Sequence, residues 1–247
     1  MMRISGRKFA ITGAGRGLGA ALAIVMADAG AKPLLLGRNR EALAQTAQQI
    51  EARSGQTAET LTCDLVDAES CKATGRRLAE AHGNLDGLVH NGAMWLPGSM
   101  SEVSDEDIEA CVASAAVGAL ILTRHVLPVL KARPDADIHT VISTSGLPYL
   151  PLLGTSVAFR AAKSAQHGLV QGLADELRQT GVRVTAVYPG NIKDISPLDP
   201  AWQDPRHSDG ALTNREVIDA ILFTLNLPPN AAVRSLVIEE RKGERLE

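Results

Sequence analysis

Short apolar runs alternate along the chain with longer stretches in which apolar residues return every three or four positions. The first pattern marks strands, the second helices with one buried face. Lys8–Thr12 reads as a first strand, and Gly17–Ala29 as a helix ended by Gly30. Pro33–Leu36 is a second strand, followed by a helix over Arg40–Arg53. Ala58–Cys63, Ala68–His82 and Leu85–His90 continue as strand, helix and strand. Ser104 followed by Asp107 resembles a capping box. The helix behind it runs through Ala110–Leu130 with few polar interruptions, which predicts burial on most sides. Ile138–Ser143 reads as a fifth strand, Ser156–Thr180 as a long helix and Val182–Tyr188 as a sixth strand. A loop-rich insert then precedes a helix at Glu216–Leu225 and a last strand at Val233–Ile238. This alternation predicts an α/β fold, a Rossmann-like doubly wound parallel sheet with helices on both faces. No repeat, linker or composition shift divides residues 1–247, so a single domain is expected.

Composition narrows the function. Hydrophobic residues make up 45% and charged residues 21%, ordinary for a soluble globular chain. A net charge of -3 without a basic block makes nucleic acid and anionic membranes poor partners. No run of about 18 apolar residues suggests a membrane span, and no secretory leader is evident. Cys63, Cys71 and Cys111 are odd in number and lack metal-ligand spacing, so neither a disulfide framework nor a metal site is expected. A cytoplasmic protein acting on a small molecule fits these bounds.

Thr12-Gly13-Ala14-Gly15-Arg16-Gly17-Leu18-Gly19 carries the first chemical signal. It follows a strand and opens a helix. Glycines there let the backbone approach a pyrophosphate, and the helix N-terminus offers N–H donors. The second strand ends Leu36-Gly37-Arg38-Asn39-Arg40. An acid at this end would bind the ribose 2'-hydroxyl of NAD, and none is present. Arg38 is placed for a bidentate contact with a 2'-phosphate, so NADP(H) is expected over NAD(H). The plainer reading leaves Arg38 and Arg40 as solvated residues at a helix start.

The Thr-Gly-x-x-x-Gly-x-Gly spacing resembles the short-chain dehydrogenase/reductase family, and the resemblance extends over nearly the whole chain. Cys63-Asp64-Leu65 stands where the family's Asp contacts adenine. Leu88-Val89-His90-Asn91-Gly92-Ala93 looks like its Asn-Asn-Ala-Gly segment with changes. Tyr188-Pro189-Gly190 stands where members meet the nicotinamide end, with Ile192 following. The resemblance implies a cofactor site of Gly13, Gly15, Arg16, Gly17, Leu18, Gly19, Arg38, Asp64, Leu65, Asn91, Gly92, Lys163, Pro189, Gly190 and Ile192. It also implies a substrate lid within residues 190–214 and a homodimer or homotetramer. Ala161, Ala162, Ala165, Gly168 and Gly172 would permit close helix approach between subunits.

In that family a Tyr gives the proton to a carbonyl oxygen while the cofactor gives hydride. A Lys one helical turn later lowers the phenol pKa and binds ribose. A Ser polarises the carbonyl, and an Asn holds a water relay. Here Lys163 is retained, but Phe159 stands at the Tyr position, and a phenyl ring cannot exchange that proton. The Ser position falls at Ser143, with Thr144 and Ser145 as close alternatives and strand-end turn chemistry as the plainer reading. The Asn position falls near Ser114-Ala115, and Asp194 stands where a Thr often follows Pro-Gly. Tyr149, Tyr188 and His90 are the other proton-bearing groups to locate. Trp95 and Trp202 could line an apolar pocket or cover the core. The leading expectation is an NADP(H)-dependent oxidoreductase acting on a carbonyl or alcohol with altered proton transfer. Phe159 is then either natural or an installed Tyr-to-Phe change, and the missing Asn favours natural divergence. A non-catalytic NADP(H)-binding protein and a lyase or isomerase on the same fold are the alternatives.

Overall fold

The computed structural model describes residues 2–148, 150, 154–203 and 211–240. Seven parallel strands form one sheet in the order β3-β2-β1-β4-β5-β6-β7. They are β1 (Lys8–Thr12), β2 (Lys32–Gly37), β3 (Glu59–Thr62), β4 (Gly87–His90), β5 (Ala136–Val141), β6 (Val182–Pro189) and β7 (Ser235–Ile238). The helices are α1 (Gly17–Asp28), α2 (Arg40–Ser54), α3 (Ala68–Ala81), α4 (Asp105–Val112), α5 (Gly118–Lys131), α6 (Val157–Glu176) and α7 (Asn214–Asn226). Order reverses between β1 and β4, which are paired from Phe9↔Gly87 to Ile11↔Val89. A crevice at the carboxyl ends of these strands is where such sheets bind ligands.

Two apolar layers sandwich the sheet. One packs Leu22, Met26, Ile218 and Ile221 of α1 and α7 against Ile11, Val89 and Val187. The other packs Leu78, Leu122, Val126 and Val170 against Leu34, Leu88 and Ile138. Strands buried on both faces explain why they read as continuous apolar runs rather than alternating ones.

Several boundaries differ from expectation, among them the end of α6, at Glu176 rather than Thr180, and the start of β7, at Ser235 rather than Val233. β5 spans Ala136–Val141, two residues earlier than Ile138–Ser143, because Ser143 leaves the ladder and its hydroxyl accepts the Ser145 N–H at 3.1 Å. β4 starts at Gly87, since the Leu85 N–H turns back onto the His82 carbonyl. α7 starts two residues early on a full Thr213/Glu216 capping box. At Ser104 the cap is half of a box, with its hydroxyl accepting the Asp107 N–H.

Asp105–Lys131, 27 residues joined through a π-helical turn at Ala113–Val117, is long and apolar enough to cross a membrane by length and composition. The sequence pattern predicts no membrane span. Half of its apolar window is buried inside the fold, where it packs on α3 and the sheet.

Candidate functional site

The ends of β1 and β4 are tied by one hydroxyl. Thr12 Oγ1 accepts the N–H groups of Asn91 and Gly92 at 3.0 and 2.9 Å. Asn91 Nδ2 returns to the Thr12 carbonyl at 3.1 Å. This brace holds the glycine turn against β4. A methyl group on Gly19 would come within 2.2 Å of the Gly13 carbonyl oxygen, so only glycine lets α1 start this close to β1. Among the described residues no side-chain hydrogen bond caps the start of α1, and its first turn holds no acid among its own residues. The resulting cradle, with free N–H groups and the positive end of the helix dipole, fits a dinucleotide pyrophosphate. Arg16 and Arg38 are both exposed, at the helix start and at the end of β2. Leu65 packs under Gly92, where a methyl would meet its Cδ1 at 2.7 Å. The Asp64 carboxylate accepts the Val66 N–H at 3.0 Å in its own turn. On the far side, the Gly190 N–H bonds the Ile238 carbonyl at 2.9 Å, and Ile192 packs partly buried on the α1/α7 core.

Phe159 is buried, 6% exposed, among Leu96, Cys111, Ala115, Ala158 and Ala162. Trp95, half exposed, meets it edge to face with ring centroids 4.7 Å apart. The aromatic pair forms an apolar wall. The Lys163 ammonium lies 5.6 Å from the Phe159 ring centroid. It is 5% exposed and donates to Gln166 Oε1 at 2.9 Å and to the Val141 carbonyl at 3.3 Å. Burial pulls its pKa down to about 8, and the Cys111 thiol opposes that shift. Gln166 was missed from sequence, although it shares the Lys163 face of α6 three residues on, and its Nε2 is left without a partner.

Ser143 spends its hydroxyl on a turn with Ser145, and Thr144 and Ser145 open the short 3-10 segment beside it. At the expected Asn position, Ser114 sits in the π turn. It accepts the Met94 N–H at 3.0 Å and donates to the Cys111 carbonyl at 3.1 Å. It thus braces the segment that carries Trp95.

The other proton-bearing candidates sort themselves by burial. His90 is buried on the α5 side against the Thr123 hydroxyl, 2.7 Å away, and burial pushes its pKa down to about 4. Its ring is packed in the core and its Nε2 is engaged by Thr123. Tyr188, expected at the cofactor, is fully buried with its hydroxyl 2.9 Å from His167 Nδ1 of α6, and burial raises its pKa. The β6 register turns it into the α6 layer of the core. Trp202 belongs to the α1/α7 core, and its carbonyl accepts from Arg215 at 2.6 Å. Tyr149 lies outside the described residues.

Comparison with known proteins agrees with this arrangement. The family model described as short chain dehydrogenase matches residues 7–204. An uncharacterized oxidoreductase of Staphylococcus saprophyticus is 28% identical over 96% of this chain and 99% of its own length. A metagenomic short-chain oxidoreductase in complex with NADP superposes with a TM-score of 0.80 at 26% identity, covering 97% of this chain and 99% of that one. A 3-oxoacyl (acyl-carrier-protein) reductase of Agrobacterium tumefaciens with NADP bound gives 0.80 at 27% identity, over 96% and 94% of the two chains.

Proposed function

Because this chain belongs to the short-chain dehydrogenase family, a family of NAD(P)-dependent oxidoreductases, we propose that it transfers hydride between NADP(H) and a small carbonyl or alcohol substrate, with impaired proton transfer. The observation that carries the reading is a retained cofactor end beside an altered proton end: Lys163 stays buried one helical turn from Phe159, which has no hydroxyl. The glycine turn and the start of α1 hold the pyrophosphate. Arg38 and Arg16 receive the 2'-phosphate, which NADP-bound relatives support. Asp64 and Leu65 flank adenine, Asn91 and Gly92 brace the turn, and Pro189, Gly190 and Ile192 border the nicotinamide. When bound, the cofactor supplies hydride at the nicotinamide. Lys163 holds the ribose, Ser143 or a neighbouring hydroxyl polarises the carbonyl, and Phe159 with Trp95 excludes water. A substrate-facing insert is placed at residues 190–214, of which 204–210 lie outside the described residues.

The outward face of α6 supports a homodimer or homotetramer. Ala161, Ala165, Gly168 and Gly172 are exposed there, and Val157 is 48% exposed beside them. Three buried free thiols suit a reducing, cytoplasmic setting.

Single-turnover absorbance at the nicotinamide band, with NADPH and a panel of ketones and aldehydes, tests the reading. The wild type turns over slowly, and Phe159→Tyr gains about 10²–10⁴-fold, the range of general acid assistance. Binding of NADPH without turnover in either protein would instead assign a non-catalytic nucleotide-binding role.

A further inference from the structure

Asp194, in the segment after β6, comes back against the start of α1. Gly17, with φ of +54°, is the first residue of that helix. A methyl on Gly17 would lie 3.0 Å from Asp194 Oδ2 and 3.6 Å from Oδ1, so the whole carboxylate faces the glycine turn. It lies over the positive helix end that α1's own first turn leaves without an acid. Arg16 is the neighbouring cation. Burial raises the Asp194 pKa, and Arg16 works against that rise.

We propose that Asp194 is an internal stand-in for the cofactor's pyrophosphate: its carboxylate lies over the start of α1 in the free protein and opposes the dinucleotide when it binds. The proposal rests on the NADP(H) reading above. A carboxylate and a pyrophosphate cannot share one helix end without repulsion, since like charges at contact distance in a partly buried site are poorly screened. Asp194 therefore weakens the protein's hold on the cofactor. A residue that only shaped the loop would leave the affinity unchanged or lower it on substitution.

Two full-length variants test this, the isosteric Asp194→Asn and Asp194→Thr. NADPH and NADP+ titrations followed by fluorescence give the affinity, and thermal melts without nucleotide give the stability. Both variants are expected to tighten the Kd for NADPH about tenfold. Their nucleotide-free melting midpoints do not fall, because burial already disfavours the ionised Asp194 carboxylate in the fold. An unchanged Kd in both variants overturns the proposal while leaving the cofactor reading intact. A weakened Kd also overturns it and makes Asp194 a hydrogen-bond acceptor for the bound cofactor. If the wild type and both variants fold by circular dichroism yet none binds NADPH, the cofactor reading falls, and this inference falls with it.

Discussion

Lys163 is an ammonium kept in a place where an ammonium is costly. It is 5% exposed, and its pKa is about 8 instead of 10.5. A folded pKa below the unfolded one means that the unfolded chain binds the extra proton between these values. Stability from this group is lowest below pH 8 and rises as pH climbs from about 8 to 10.5. Relative to Lys163→Met, the wild type is expected to gain on the order of 3 kcal/mol across that window. Urea melts of both proteins at pH 7 and pH 10.5 measure it, and a pH-independent gap would count against it. The proposed ribose contact would make use of that charge. Phe159 keeps the volume of a tyrosine and adds an edge-to-face contact with Trp95, of a kind worth about 1 kcal/mol. The motif Phe-x-x-x-Lys was legible from spacing alone. The Lys163–Gln166 bond was not, because a helical i,i+3 pair becomes informative only once that face is known to be buried.

At the scale of elements, the glycine turn and α1 matched expectation most closely, since strand, glycines and helix all point to one local geometry. α7 carries a start signal in its own sequence. Thr213-x-x-Glu216 is a complete capping box, with the Glu216 carboxylate accepting the Thr213 N–H at 2.9 Å. Thr213→Ala is expected to cost about 1 kcal/mol, read as a lower urea midpoint with an unchanged slope. β5 ends two residues before the predicted Ser143, although Ile142 and Ser143 suit a strand in isolation. The Ile142 N–H still bonds the Val187 carbonyl at 2.9 Å, and the ladder stops only where the Ser143 hydroxyl closes its turn. The apolar helix around Ala115 illustrates another limit of pattern: the same composition serves a membrane span or a core helix, and packing on α3 makes the difference.

Across the whole molecule, the end of the sheet opposite the candidate site is locked by charge. Asp137 is 1% exposed and accepts from Arg3, Arg7 and Arg183, each at 2.8 Å. Arg183 also donates to the Leu225, Leu227 and Ala231 carbonyls. The N-terminus, β5, β6 and the end of α7 thus meet on one carboxylate. Asp137→Ala removes the buried carboxylate that three guanidinium groups share, and a loss of about 3–5 kcal/mol is expected. Asp135, whose side chain is 29% exposed, also pairs with Arg3. Asp135→Ala is expected to cost at most about 1 kcal/mol. Similar losses from both, by chemical denaturation, would refute this ranking. No local pattern announces the network, since its members lie 130 or more positions apart for the Arg3 and Arg7 contacts.

The sequence by itself determined what depends on short-range periodicity and on residue type at fixed spacing. That covers the alternating strands and helices, the parallel sheet they require, the glycine turn, the basic end of β2, and a phenyl ring in place of a phenol one turn before a lysine. The tertiary structure decided which side chains are buried and which anion meets which cation. It turned Tyr188 and His90 into core residues, placed Trp95 on Phe159, and brought Asp194 onto the start of α1. Those outcomes rest on contacts between segments far apart in the chain, where desolvation and charge proximity act only after the layers have packed.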